Sequence, residues 1–139
     1  MSNNVIVTDA GFGTDDLALK WCERPEEGGA LMLGADADPE DLRPHLSGLR
    51  AIRISFASFA DGRGFTLAAR LRRMGFAGRL RAAGHVIADQ YAMARRSGFD
   101  EVEISATLAA RQPEAQWQAR ADWQAHDHRR RIGLRRAMG

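Results

Sequence analysis

Ala51-Ile52-Arg53-Ile54-Ser55-Phe56 alternates apolar and polar residues with period two, the pattern of a strand with Ile52, Ile54 and Phe56 on one face. Asp61-Gly62-Arg63-Gly64 follows. Leu67, Leu71 and Met74 then recur at i, i+4 and i+7, the spacing of an amphipathic helix that carries Arg70, Arg72 and Arg73 outward. Gly75 is placed to stop that helix, and Gly78 to Ala82 offers a second, brief strand. Strand, helix, strand makes a βαβ unit with parallel strands. Because Arg53 lies opposite the apolar side, the first strand is not expected to be buried on both faces near its start.

The same alternation extends to either side. Val5-Ile6-Val7 reads as a strand or an N-terminal arm, and Ala30-Leu31-Met32-Leu33 as a strand between Gly28-Gly29 and Gly34. Asp38 precedes Pro39, Glu40 and Asp41, which predicts an N-cap, a proline at the first helical position and acids in the first turn. Leu42, Leu46 and Leu49 form the inner face of that helix. Val86 to Arg96 predicts another, with Ile87, Tyr91 and Ala94 inward and Gly98 as its stop. Glu101-Val102-Glu103-Ile104 alternates as a strand, and Pro113 and Glu114 open a last helix holding Trp117 and Trp123. The expected fold is a single α/β domain, a mainly parallel sheet of βα units with helices packed on it. Its expected organisation is an acidic segment over 1–27, the domain over 28–125 and a basic, flexible tail over 126–139.

A chain of 139 residues buries roughly 68% of its unfolded surface. No apolar run approaches the roughly 18–20 residues that span a bilayer, and no basic region followed by an apolar stretch opens the chain, so the expected location is the cytoplasm. Cys22 is the sole cysteine. It excludes an internal disulfide and a cluster held by about four thiolates of one chain. Gly11-Phe12-Gly13 lacks the third glycine of a dinucleotide loop and precedes an acidic stretch. No flavin fingerprint is present, so no cofactor is assigned. His126 and His128 flank Asp127 without a third ligand at helical spacing, so no metal is assigned either.

Charge is segregated. Residues 1–47 carry ten acids against three bases, whereas residues 50–96 carry ten arginines against Asp61 and Asp89. Internal pairing with solvated helix faces accounts for this; a basic face for an anionic ligand is the alternative. For that ligand the candidates are Asp61, Gly62, Arg63 and Gly64, at the carboxyl end of a strand where parallel sheets hold ligands. Glycines admit a close backbone approach, and a helix start offers free N–H groups. Arg81 and Gly84, at the next strand-to-helix junction, would complete a site for sulfite, sulfate or phosphate, because a guanidinium forks onto oxyanions. A tight turn with an Asp61–Arg63 pair is the structural alternative. Asp89 and Gln90 are secondary candidates inside a helix, Asp89 reading better as a buried, paired acid. His85 reads as a helix-start residue facing solvent, and Cys22 as half-buried beside Trp21.

Taken in order, Phe59-Ala60-Asp61-Gly62-Arg63-Gly64-Phe65, Ala68 to Arg72, Arg81-Ala82-Ala83-Gly84-His85-Val86, Asp89-Gln90 and Arg96-Ser97-Gly98-Phe99-Asp100 resemble the bacterial DUF934 family. The similarity runs over roughly residues 28–118 and includes Trp117-Gln118. That family is described as uncharacterised, or as an oxidoreductase of sulfite reduction whose genes lie beside assimilatory sulfite reductase. His85 departs from it, since its position is commonly acidic there. The resemblance implies a place beside sulfite reductase, yet six-electron reduction uses siroheme and an iron–sulfur cluster that one cysteine does not hold. Three readings follow. The first is an accessory or regulatory component binding the reductase or its anionic substrate. The second is an enzyme on a small phosphorylated or sulfated metabolite, using Asp61, Arg63 and Arg81. The third is a nucleic-acid or assembly protein using its basic helix faces, with no recognised nucleic-acid motif behind it. No membrane partner is expected, and a homodimer through an exposed Trp117/Trp123 face stands against a core role for both.

Overall fold

The computed structural model describes residues 4–124. Seven strands form one sheet in the order β2-β1-β7-β6-β5-β4-β3. They are β1 (Val5–Thr8), β2 (Gly11–Gly13), β3 (Trp21–Cys22), β4 (Ala30–Gly34), β5 (Ala51–Phe56), β6 (Arg79–Gly84) and β7 (Glu101–Ile104). From β3 to β7 neighbours are parallel, while β1 runs antiparallel to both β7 and β2. The mainly parallel α/β domain is therefore as expected. Residues 4–27, within the stretch expected as an acidic segment, contribute β1, β2 and β3 to the same sheet. Val5 and Val7 join the apolar side there because Val7 pairs with Val102. The histidines of the basic tail lie outside the described residues.

Parallel strands laid down in sequence order, joined by right-handed crossovers, carry every connecting helix to one face. The core agrees. Leu31 of β4, Ile52, Ile54 and Phe56 of β5, Leu80 and Ala82 of β6, and Val102 and Ile104 of β7 all pack against helical residues. Those come from a 3-10 segment (Pro39–Gly48), α1 (Arg63–Arg73), α2 (Tyr91–Ser97) and α4 (Glu114–Gln118). Among the described residues, the opposite face has no helix. Register aligns Met32, Arg53 and Arg81 across β4, β5 and β6, and Arg81 with Glu101.

Several elements depart from their sequence expectation. Pro39–Gly48 keeps its Asp38 cap, whose side chain accepts from the Glu40 amide at 3.0 Å, and buries Leu42, Leu46 and Leu49. It is 3-10 because Pro44 lacks an N–H and its ring would strike a carbonyl one α-turn back. The helix expected over Val86 to Arg96 begins only at Tyr91. Before it, the Gln90 and Gln112 side-chain amides accept from the Ile87 and Ala88 N–H groups at 3.1 and 2.7 Å, satisfying donors that the first turn of a helix starting there would leave unbonded. A further helix, α3 (Ala106–Arg111), lacks apolar periodicity and starts on Ser105, whose hydroxyl accepts from the Leu108 amide. Trp117 is buried, while Trp123 lies beyond α4 and donates to Asp9. Among the described residues, no helix is long and apolar enough to cross a membrane.

Gly75 and Gly98 end α1 and α2 in left-handed conformation, at φ 101 and 110. In both, the next residue's amide reaches five residues back, Phe76 to the Leu71 carbonyl and Phe99 to that of Ala94. Arg72 ties the two stops together. It donates to the carbonyls of Gly98, Phe76 and Gly78 at 3.0, 2.9 and 2.8 Å, and to Asp100 at 2.9 Å. It is thus not the free outer-face arginine that helical spacing implies. Arg72→Ala should lower stability by about 2–3 kcal/mol in urea unfolding, because half-buried carbonyls lose their donors. Arg72→Lys should restore only part of that, since one ammonium nitrogen replaces three guanidinium nitrogens.

Candidate functional site

The residues predicted for one anion site fall into three surroundings. Asp61 and Arg63 pair with each other. Arg63 Nε and Nη2 donate to the two carboxylate oxygens at 2.9 and 3.1 Å, and the Arg63 amide donates to Asp61 Oδ1 at 3.2 Å. The Arg63 guanidinium beside Asp61 holds its carboxyl below the usual carboxylate range. Arg63 remains 66% exposed, on a groove of about 270 Å³ that also includes Asp36, Thr66 and Arg70. Gly62 caps α1 with φ −75 and a Cβ there would meet nothing within 4 Å, whereas Gly64 is required by the Phe56 ring, which a Cβ would strike. Gly64 thus admits an aromatic ring from the core, and Gly62 stands in open space.

Arg81 is not at a junction. It sits mid-strand on the helix-free face, 0% exposed. Its Nε donates to Glu101 at 2.5 Å and its Nη1 to Glu103 at 2.9 Å. Asp15 receives Nη1 and Nη2 as a fork, both at 2.9 Å. The Trp21 ring lies 5.2 Å from the guanidinium carbon. Burial works against the charge, but the three carboxylates more than offset it and hold Arg81 protonated. The anion site expected to include Arg81 is therefore corrected at this residue, whose fork is filled from within the chain.

Asp89 reads from the sequence as a buried, paired acid, and it is paired but not buried. It is exposed, in a 3-10 turn (Ala88–Gln90), and pairs with Arg120. Gln90 is structural, donating to the Phe59 carbonyl at 2.7 Å as well as capping Ile87. Gly84 has φ +95, and a Cβ there would lie 2.8 Å from the Phe56 carbonyl oxygen, so a side chain is excluded twice over. Cys22 is part-buried on the edge strand β3.

Gly84 does border a cleft of about 330 Å³ at the carboxyl ends of β5, β6 and β7. Arg53, Phe59, His85, Glu103 and Arg111 line it, with the Ser105 and Thr107 hydroxyls beside them. Arg53 donates to Glu103 at 3.4 and 3.2 Å and to the Ser55 hydroxyl at 3.1 Å. Burial opposes ionisation of Glu103, yet Arg53, Asn4 and Arg81 together keep its carboxyl below the ordinary range. His85 Nδ1 lies 3.2 Å from the Phe56 carbonyl, an acceptor only, which assigns the Nδ1 proton and leaves Nε2 without a partner among the described residues. Arg111, in the last turn of α3, is exposed and has no ion-pair partner among the described residues. Arg53 was legible as a residue facing off the core; Arg111 and Thr107 carried no sequence signal, because their helix has no periodicity.

A family model described as a bacterial protein of unknown function (DUF934) matches residues 30–131. The chain belongs to that family. No curated protein and no solved structure matches it. The DUF934 match covers β4 through α4, and so takes in every cleft residue named above except Asn4 of the N-terminal segment.

Asp15 holds the connection between β2 and β3 across the helix-free face. The Arg81 hydrogen bonds bring its pKa from 3.8 down to about 2. The folded value lies below the free one, so the pairing contributes fully above 3.8 and is lost as pH falls toward about 2. Trp21 fluorescence should change over that interval. In Asp15→Asn the change should be absent, with the acid-like spectrum already present at neutral pH.

Proposed function

We propose that this chain is a cytoplasmic, non-reducing accessory protein of sulfite reduction that binds an oxyanion group in the Arg53–His85–Arg111 cleft, close to the reductase it serves. The place beside sulfite reductase is what the family resemblance implies. One observation carries the binding reading: two guanidiniums, an imidazole and two hydroxyls line one cleft whose single acid, Glu103, is already shared between Arg53 and Arg81. Arg111 has no ion-pair partner among the described residues, and a planar fork is suited to an oxyanion. His85 keeps its Nδ1 on the Phe56 carbonyl, so Nε2 is the ring nitrogen without a partner among the described residues. The position at the carboxyl ends of parallel strands also favours ligand binding.

The second reading, an enzyme at the Asp61–Gly64 loop, has less support because Asp61 already occupies the Arg63 fork. The basic-face reading has less again. Arg72 is tied internally, and Arg70 faces Glu40 at 3.4 Å.

Titration calorimetry with sulfite, sulfate and phosphate should show saturable binding that Arg111→Ala weakens at least about tenfold, the value of one charge-assisted contact. Arg63→Ala should leave it unchanged. A strain lacking the gene should grow on sulfide and fail on sulfite, and Arg111→Ala should not rescue it. Binding that depends on Arg63 and not on Arg111 would transfer the site to the loop. Normal growth on sulfite would remove the sulfur role.

A further inference from the structure

The cleft is much larger than an inorganic oxyanion. A water occupies about 30 Å³ in the liquid, and sulfite or phosphate is a few times that at most. The cleft encloses about 330 Å³, and a second hollow of about 550 Å³ on the helix-free face shares Asn4, Arg53 and Glu103 with it. Volumes of about 300–1,000 Å³ suit organic molecules.

The wall supplies the second observation. Among the described residues, Phe59 and Met93 are the large apolar side chains left exposed, and Phe59, at 43%, is the one that lines this cleft. It comes from the β5–α1 loop, where Gln90 Nε2 fixes its carbonyl at 2.7 Å. The His85 ring stands perpendicular to it, with ring centroids 5.1 Å apart. Leu108, partly buried against the core, lines the same cleft. An exposed ring held by a fixed backbone costs little entropy to use and favours flat partners, by offset stacking or edge contact. Beside it stand Arg53 and Arg111 for the anionic group, and the Ser105 and Thr107 hydroxyls.

We infer that the ligand of this cleft is a ring-bearing organic molecule with a phosphate or sulfate ester, the ring lying on Phe59 and the ester at Arg111 and Arg53. The inference rests on the oxyanion reading above and adds the chemical class of what carries the oxyanion. It also gives Phe59 a role that neither core packing nor loop geometry supplies.

The probes are phenyl phosphate, phenyl sulfate and inorganic phosphate, titrated calorimetrically into the full chain and into Phe59→Ala and Met93→Ala, each checked by circular dichroism. Phenyl phosphate or phenyl sulfate should bind about tenfold more tightly than inorganic phosphate, the scale of one aromatic contact. Phe59→Ala should erase that advantage while leaving inorganic phosphate unchanged, and Met93→Ala should change neither. Equal affinity for phenyl and inorganic esters, or an advantage that survives Phe59→Ala, would overturn the inference and leave the oxyanion reading standing. No binding of any probe would overturn both.

Discussion

The buried guanidinium of Arg81 is the constraint around which the polar half of this molecule is organised. A cation taken wholly out of water needs carboxylates and filled hydrogen bonds, and removing one partner of such a pair costs roughly 3–5 kcal/mol. Here the partners come from two places. Glu101 and Glu103 belong to β7, the neighbouring strand, and Asp15 belongs to the connection between β2 and β3. The charge therefore ties β7 to β6 and draws the N-terminal segment over the sheet. Arg53 is laterally aligned with Arg81. The two cations sit side by side because Glu103 bridges them, accepting from Arg53 at 3.2 Å and from Arg81 at 2.9 Å.

The direction of winding explains why such a face exists. Strands β3 to β7 are added in one direction, so the helices of the described residues accumulate on the apolar side. A doubly wound sheet has a point where strand order reverses and a crevice opens between helices. Here the parallel strands have no such reversal. The cleft forms instead where β5, β6 and β7 end, between the β5–α1 loop and α3, and it continues onto the polar face through Arg53 and Glu103. Binding chemistry and structural ion pairing thus share two side chains.

Much of the fold was legible because it depends on local rules. Alternation placed β5 and β7, the Leu67–Leu71–Met74 stripe placed α1, and Gly75 and Gly98 marked ends that do adopt positive φ. The site was less legible, because glycine and arginine each serve several physical purposes. Gly64 and Gly84 stand at loop boundaries, as ligand-gripping glycines do. Yet both are fixed by Phe56, one by its ring and the other by its carbonyl oxygen. Arg81 follows a glycine and an alternating run, and no sequence pattern reveals that Asp15, far away in the chain, will fill its fork. Arg111 lies in a helix shorter than the span over which periodicity can be recognised.

The sequence by itself determined the α/β class, the parallel βαβ core and the absence of an intrachain disulfide, since periodicity, glycine stops and cysteine count act within a few residues or none. It also determined that the acidic N-terminal stretch and the arginine-rich middle would attract one another. Only the tertiary structure decided which charges meet. Asp15 reached Arg81, Asp16 reached Arg79 and Asp9 reached Arg95, while Arg111 lines a cleft without an ion-pair partner among the described residues. The reason is one of range. Backbone preference is set by neighbours in the chain, whereas burial of a charge selects partners from anywhere that the sheet brings close.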